Sequence, residues 1–167
     1  MKQLKCLIFM VISIFVLSFP SVSACKPLFN PVEITPPDLN FNPCDVQISG
    51  NYVFIAGWLT GIHVFDISDF DNPRWVKTIK TDAEVASLAI KDGYLYAATA
   101  GLEIYDISSI DTIKKVTSLE SEYFYKNVRI DGSNLFVNSP DEKLPLIVFD
   151  ISTPENPQRI KEFEVPG

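Results

Sequence analysis

The sequence has few of the residues that build reactive or metal-binding sites. Its 167 residues include one His and three Cys, which is little material for a zinc site, a Ser/His/Asp triad or a disulfide framework. Basic residues are also scarce, because 14 Lys and Arg face 21 Asp and Glu and give a net charge of −7. Such a surface repels nucleic-acid phosphates. We therefore expect no catalytic residues, no metal, no cofactor and no nucleic-acid partner.

Helical periodicity is missing after residue 25, so an α-helical domain is excluded from the expected folds. Hydrophobic residues make up 47% of the chain and charged residues 21%, a composition that disordered chains do not have. The length suits one domain of ordinary size. We expect a single folded domain made of strands.

The first 24 residues are predicted to be a signal peptide. Lys2 and Lys5 precede an apolar run at 6–19, and Pro20 ends that run before small residues begin. A run of this length is too short for a transmembrane helix, which needs about 20 apolar residues. The sequence therefore predicts export rather than a membrane span.

The end of the signal peptide resembles the lipobox of bacterial lipoproteins. Val22, Ser23 and Ala24 precede Cys25, although Val is less usual than Leu at the first lipobox position. The resemblance implies acyl chains on Cys25 and a lipoprotein of the cell membrane or outer membrane. The alternative is ordinary signal peptidase cleavage, which gives a secreted protein in which Cys25 is left to pair with Cys44.

A proline-rich segment, residues 25–44, follows the signal peptide. It contains five prolines and is predicted to be an extended tether, because proline resists helix and favours polyproline-like chain. The folded domain is predicted over 45–167.

The folded domain consists of three sequence repeats, about 45–84, 85–125 and 126–167. The tripeptide Asp-Ile-Ser recurs at 66–68, 106–108 and 150–152, and aligned apolar segments surround each copy. Its Asp and Ser side chains are predicted to end the third strand in an Asx or Ser turn. Gly50-Asn51 and Asp92-Gly93 are predicted to form tight hairpins, because Gly and Asn tolerate positive φ. Each repeat has four short segments rich in β-branched and aromatic residues, which in the first repeat are 45–49, 52–57, 61–67 and 74–80. Four strands that recur every 40 to 44 residues are typical of β-propeller blades.

The repeat resembles the LVIVD family of bacterial and archaeal surface propellers. The resemblance depends on a Tyr-containing strand, then Gly-Ile/Leu-x-Val/Ile-aromatic-Asp-Ile-Ser and an Asn-Pro turn. The turn is Asn72-Pro73 in the first repeat and Asn156-Pro157 in the third, whereas Thr112-Ile113 replaces it in the second. The family implies an all-β, propeller-like array of three four-stranded blades and no agreed enzymatic residues.

Closed propellers usually have four to eight blades, so three repeats leave the ring open. Three interpretations follow: the sequence is a fragment of a larger propeller, a second copy completes the ring, or the array is open.

Two loops are candidate binding sites on this fold. Trp58, Leu59 and Thr60 lie between the second and third strands of the first repeat, and Asp141, Glu142 and Lys143 lie in the corresponding loop of the third. His63 and the acidic side chains are assigned structural or turn roles rather than metal binding. The remaining prominent aromatic residues are expected to pack in the core or between blades: Phe70, Trp75, Tyr123, Phe124 and Tyr125.

These observations predict an exported, lipid-anchored, non-catalytic protein that mediates protein or glycan interactions at the cell envelope. Homo-oligomerisation is expected if the chain is complete. The alternative is a fragment of a larger propeller enzyme or sugar-binding protein whose active site lies in missing blades.

Overall fold

The computed structural model of the chain describes residues 42–140 and 146–163. The signal peptide, the lipobox with Cys25, nearly all of the tether and the loop residues Asp141, Glu142 and Lys143 lie outside the described residues. The interpretations of those segments stay predictions.

The described residues form three four-stranded antiparallel sheets, which confirms the predicted all-β, propeller-like array. Each sheet is a meander, in which consecutive strands are hydrogen-bonded neighbours. We call the sheets blades 1 to 3. Blade 1 contains β1 (Asp45–Ser49), β2 (Tyr52–Ala56), β3 (Ile62–Asp66) and β4 (Arg74–Ile79); blade 2 contains β5 (Ser87–Lys91), β6 (Tyr94–Thr99), β7 (Gly101–Asp106) and β8 (Lys114–Glu120); blade 3 contains β9 (Asn127–Asp131), β10 (Asn134–Asn138), β11 (Leu146–Asp150) and β12 (Gln158–Phe163).

The strands of blade 1 agree with the sequence prediction to within one residue at each end. The equivalence of the repeats extends to their irregularities, because each blade has a register shift at the same place between its third and fourth strands. The shifts fall at Val64/Phe65, Ile104/Tyr105 and Val148/Phe149. This shared bulge bends the outer strand of each blade in the same way.

The turns between first and second strands use positive φ, as the sequence predicts. Gly50 has a φ of 56°, and Asp92 and Gly93 have φ values of 49° and 80°. Two consecutive residues with positive φ give the type I′ turn whose twist matches that of a hairpin.

Each Asp-Ile-Ser tripeptide ends a third strand with a turn closed by the Asp side chain. In blade 2, Asp106 Oδ1 accepts hydrogen bonds from the Ser108 amide at 2.9 Å and the Ser108 hydroxyl at 2.6 Å. The same two bonds join Asp150 and Ser152 in blade 3. The hydrogen bond from the Ser hydroxyl is the largest cause that lowers the pKa of each Asp carboxyl, and the bond from the Ser amide is the second. The predicted Asx turns are confirmed, and they assign these residues a structural role.

The second blade departs from the others where the Asn-Pro turn is missing. A short 3-10 helix, Ile110–Thr112, occupies that position before β8 begins. The substitution of Thr112-Ile113 therefore changes the turn and leaves the four-stranded blade intact.

The core lies between the blades. The first strand of the middle blade, β5, contacts both β1 and β9, so the first strands line the inner side of the array. One apolar cluster joins blades 1 and 2 and includes Phe54, Val64 and Leu88. A second joins blades 2 and 3 and includes Tyr96 and Leu135. Each fully buried side chain of this size contributes about 2 to 3 kcal/mol to folding.

Candidate binding face

The loops that differ most between blades lie at one end of the array, which we call the loop face. They connect second to third strands and are residues 57–61 in blade 1 and Ala100 alone in blade 2. In blade 3 the connection starts at Ser139, and the structure describes Ser139 and Pro140 of it. The segments that lead into β5 and β9 reach the same end. Cys44, Ala86 and Lys126 each donate a backbone hydrogen bond to the end of the neighbouring second strand, at 2.8 to 2.9 Å, so these three residues occupy equivalent positions at the loop face.

Trp58 adopts a strained backbone conformation on the loop face. Its φ of 52° is uncommon for a bulky residue and costs of the order of 1 to 3 kcal/mol. The Val85 amide donates to the Trp58 carbonyl at 3.0 Å and thereby holds the backbone in place. The indole packs against the Phe124 ring, with centroids 5.3 Å apart and planes tilted by 60°. A residue from blade 1 thus contacts the segment that precedes blade 3.

Beside this ring pair lies a cleft with a volume of about 500 Å³. Trp58, Phe124 and Pro140 supply large apolar surfaces to it, and Lys126 and Asn127 supply polar groups. Lys126 and Asn127 are exposed, whereas the two aromatic side chains are half-buried. The cleft therefore combines aromatic surface that water reaches with a cationic group at its edge.

Leu59 and Thr60 stand in the predicted loop but do not line this cleft. Leu59 is 73% exposed. The Thr60 hydroxyl donates to the Gly57 carbonyl at 2.9 Å and lies 2.7 Å from His63 Nε2. His63 is buried, and its Nδ1 lies 3.1 Å from the Thr78 hydroxyl. The hydrogen bonds of Thr60 and His63 therefore stabilise the conformation of the loop.

Two of the acidic side chains that were assigned turn roles, Asp69 and Asp82, take part in local contacts. Asp69 accepts from the Asp71 amide at 3.1 Å and from Asn72 Nδ2 at 2.9 Å, and the Asn72 bond is the main cause that lowers the Asp69 pKa. Asp82 pairs with Lys115 at 2.7 Å. Within residues 42–140 and 146–163, no three His, Cys, Asp or Glu side chains are grouped so as to hold a metal ion.

A buried acidic cluster lies between blades 1 and 2, apart from the cleft. Glu103 is only 2% exposed and accepts hydrogen bonds from the Tyr105 hydroxyl and from the Asp82 amide at 3.1 Å. Lys115 Nζ lies 3.0 Å from the Glu103 carboxylate. Burial and the Glu103 bond raise the pKa of Tyr105. Burial lowers the pKa of Lys115, but its bonds to Asp82 and Glu103 outweigh this effect and raise it.

The packing roles predicted for five aromatic residues hold only in part. Tyr125 is buried in the core, and Tyr123 packs against the cluster between blades 2 and 3. Phe124 is also a wall of the cleft, a role that the sequence analysis missed because its repeat equivalents gave no signal for it. The prediction is wrong for Phe70 and Trp75, which are 82% and 40% exposed, because none of the described blades covers the side of blade 1 on which they lie.

Two segments of the chain, residues 42–81 and 83–110, match the family model of the LVIVD repeat. The matches support the LVIVD repeat family. They cover blade 1 and blade 2 as far as the start of its 3-10 helix, and blade 3 lies outside them. The propeller-like fold with LVIVD repeats thus agrees with the resemblance noted from the sequence.

Solved structures with a similar fold include two computationally designed proteins. Ika4 is 15% identical with a TM-score of 0.60, and the alignment covers 83% of this chain and 82% of Ika4. Ika8 is 12% identical with a TM-score of 0.52, and the alignment covers 65% of this chain and 33% of Ika8. The chain thus spans about one third of the length of Ika8. These identities establish similarity of fold alone.

No curated protein matches the chain. In the part of the chain that the structure describes, no helix is long and apolar enough to cross a membrane.

Proposed function

We propose that the chain is an exported, lipid-anchored, non-catalytic LVIVD-repeat protein whose loop face binds a protein partner at the cell envelope. The observation that carries the binding role is the cleft beside Trp58. The signal-peptide pattern and the lipobox at 22–25 support export and anchoring, and the proline-rich segment supports a domain held away from the membrane surface.

The backbone strain at Trp58 supports a binding role for this side chain. Glycine, which has no Cβ, would avoid the strain of positive φ, yet the loop places an indole there and leaves it half-buried. Strained residues cluster at functional sites, where the surrounding structure fixes them. Trp is also among the residues that contribute most to binding energy in protein interfaces.

The composition of the cleft favours a protein segment over a glycan. Trp58, Phe124 and Pro140 form an apolar pocket suited to an aromatic or aliphatic side chain, and Lys126 suits a neighbouring carboxylate. Among the described residues that line the cleft, few side chains offer nitrogen or oxygen groups to a sugar ring, chiefly Lys126 and Asn127. We therefore expect an apolar anchor residue flanked by acidic residues in the partner.

The test uses the full chain in detergent and two probes: an array of peptides with Phe, Trp or Leu flanked by Asp and Glu, and a glycan array. We expect peptide binding that falls roughly 30-fold in Trp58→Ala, which is the loss typical of an interface hot spot. Trp75→Phe serves as the matched control, because it changes the other Trp of the chain and leaves Trp58 as the only indole reporter for fluorescence titration.

Equal binding by the parent and Trp58→Ala proteins would reject the cleft as the site. Glycan binding that depends on Trp58 would replace the protein partner by a carbohydrate.

A further inference from the structure

Exposed apolar side chains concentrate on the two outer sides of the blade array. Among the described residues, seven large hydrophobic side chains are exposed, and only Leu59 lies on the loop face. Four of the others lie on the side of blade 1 that faces away from blade 2, which we call the leading face. Two lie on the side of blade 3 that faces away from blade 2, which we call the trailing face. The leading-face set is Val46, Ile48, Phe70 and Trp75, and the trailing-face set is Ile160 and Phe163.

The repeat equivalents of the apolar residues compared below are covered by a neighbouring blade. Trp75 is an exception, because the exposed residues Lys115 and Arg159 occupy its position in the other blades. Val46 is 54% exposed, whereas its equivalents Leu88 and Val128 are fully buried. Ile110, the equivalent of Phe70, packs against the cluster between blades 1 and 2. On the trailing face, Phe163 is 40% exposed and its equivalent Ile79 is 7% exposed. Each outer face therefore has the composition of a surface that another blade covers.

Polar contacts between blades follow a repeated pattern on the first strands. Asp45 Oδ2 of blade 1 accepts from the Leu88 amide of blade 2 at 2.9 Å. Ser87, the equivalent of Asp45, accepts from the Val128 amide of blade 3 at 3.3 Å. In both cases the side chain of the first residue of an inner strand accepts a hydrogen bond from the amide of the second residue of the next blade's inner strand. Asn127 occupies this acceptor position in blade 3.

Between blades 1 and 2, a second polar contact joins the outer strand of one blade to the turn of the next. Lys77 Nζ of β4 donates to the carbonyls of Ile110 and Asp111, at 2.6 and 3.2 Å. Blade 2 has Thr117 at the equivalent position of its outer strand. The register of β12 places Lys161 at the equivalent position in blade 3. The turn that Lys161 would meet on a following blade contains Phe70 and Asp71.

We propose that a second copy of this chain covers both faces, with the trailing face of each copy packed on the leading face of the other. Two three-blade arrays then make a closed ring of six blades, which lies within the range of natural propellers. The two interfaces are identical and are related by a two-fold axis. In each, the Val46 amide, which in the single chain donates to Asp45 Oδ1 at 2.8 Å, would donate instead to the Asn127 side-chain oxygen of the other copy. Lys161 would donate to the carbonyls of Phe70 and Asp71.

A second copy fits these faces because every repeat-to-repeat interface inside the chain already joins the same two types of surface. The apolar positions and both polar contacts continue across the seam with residues of this chain, so the interface is continuous with the two that the structure contains. This inference depends on the fold and not on the partner of the loop face, and therefore it stands or falls separately from the proposed function.

Sedimentation equilibrium and native mass spectrometry of the full chain in detergent test the proposal. We expect a dimer, and we expect Ile48→Lys on the leading face and Ile160→Lys on the trailing face each to raise its dissociation constant about 100-fold, since each buries a charge in an apolar interface. Leu59→Lys is the matched control, because it makes the same kind of change at an exposed position on neither face.

Mixing the two variants distinguishes the proposed arrangement from other dimers. An Ile48→Lys chain has an intact trailing face and an Ile160→Lys chain has an intact leading face. The mixture therefore has one unaltered interface and one that carries both lysines, and through the first it should associate more tightly than either variant alone. Recovery also shows that both variants are folded.

Three results would overturn the proposal. These are a monomer at all concentrations, a dimer that Ile48→Lys and Ile160→Lys leave unchanged, and a mixture that associates no better than either variant. A native polypeptide heavier than 18.7 kDa that closes its ring with further blades would also replace the second copy.

Discussion

The buried Glu103 cluster gives a quantitative test of how blades 1 and 2 are joined. The Glu103→Ala substitution removes the acceptor of three hydrogen bonds, from the Tyr105 hydroxyl, the Asp82 amide and Lys115 Nζ. Two of these donors keep a second partner after the change. Tyr105 still reaches the Lys80 carbonyl at 3.3 Å, and Lys115 still pairs with Asp82 at 2.7 Å.

The surviving partners set the size of the expected loss. Breaking a fully buried ion pair costs about 3 to 5 kcal/mol when the remaining charge has no other partner. Lys115 is partly exposed and retains Asp82, so the cost lies at the lower end of that range. We estimate that Glu103→Ala lowers the free energy of unfolding by about 3 kcal/mol. About half of this comes from weakened hydrogen bonds and half from the cavity that the missing side chain leaves.

The position offers an informative second substitution, because blade 3 has a buried Ile147 where blade 2 has Glu103. Glu103→Ile refills the cavity without restoring the hydrogen bonds. Its free energy of unfolding should therefore be about 1.5 kcal/mol lower than that of the parent protein. Urea unfolding followed by Trp fluorescence measures both losses. Glu122→Ala is the control, since it removes an exposed Glu and should stay within about 0.5 kcal/mol of the parent.

Two outcomes would refute this reasoning. If Glu103→Ala lost less than about 1 kcal/mol, the cluster would contribute no net stability beyond what water supplies. If Glu103→Ile lost as much as Glu103→Ala, the cavity contribution would be absent and hydrogen bonding would account for the entire loss.

Two further predictions concern acid stability and the lipid anchor. The hydrogen bonds from the Ser hydroxyls and amides lower the folded-state pKa of Asp106 and Asp150. The unfolded chain therefore binds more protons than the folded chain as the pH falls. The stabilisation is complete above the unfolded pKa near 4 and is lost as the pH falls through the folded-state pKa values. Urea midpoints measured from pH 6 to pH 2 should therefore decline below about pH 4, and Asp106→Asn should decline less steeply. Cys25→Ser should abolish the acyl chains, which intact mass detects, and the partitioning of the exported protein into detergent. Cys44→Ser should leave both properties unchanged. A parent protein whose mass includes no acyl chains would contradict the lipid anchor.

The fold was predictable from the sequence because its signals are local and occur three times. Asp-Ile-Ser appears once in each blade and ends each third strand in the same hydrogen-bonded turn. Gly50 and Asp92-Gly93 mark two of the hairpins. Even the exception at Thr112-Ile113 signalled a different turn, and the structure has a 3-10 helix there.

The cleft was only partly predictable, because it depends on contacts between distant segments. The loop that contains Trp58 was identified from its position between strands. The sequence gives no indication that Phe124, 66 residues later, packs against the indole, since no repeat signal links these two positions. The packing prediction for Phe70 was wrong for the opposite reason: its repeat equivalent Ile110 packs between blades, but the blade that would cover Phe70 is not among the three. For Trp75 the repeat gave no support for packing, because Lys115 and Arg159 occupy its position in the other blades.

The two proposals have a joint consequence for binding strength. The inner strands start at the loop face in all three blades, so ring closure by a second copy would put both clefts on the same face of one six-bladed ring. A partner that repeats its apolar anchor would then engage two clefts, and its second contact would form at the effective concentration set by the ring rather than by solution. A cleft of modest affinity would suffice under those conditions. Acyl chains on Cys25 of both copies would add a second membrane attachment and so strengthen the anchoring.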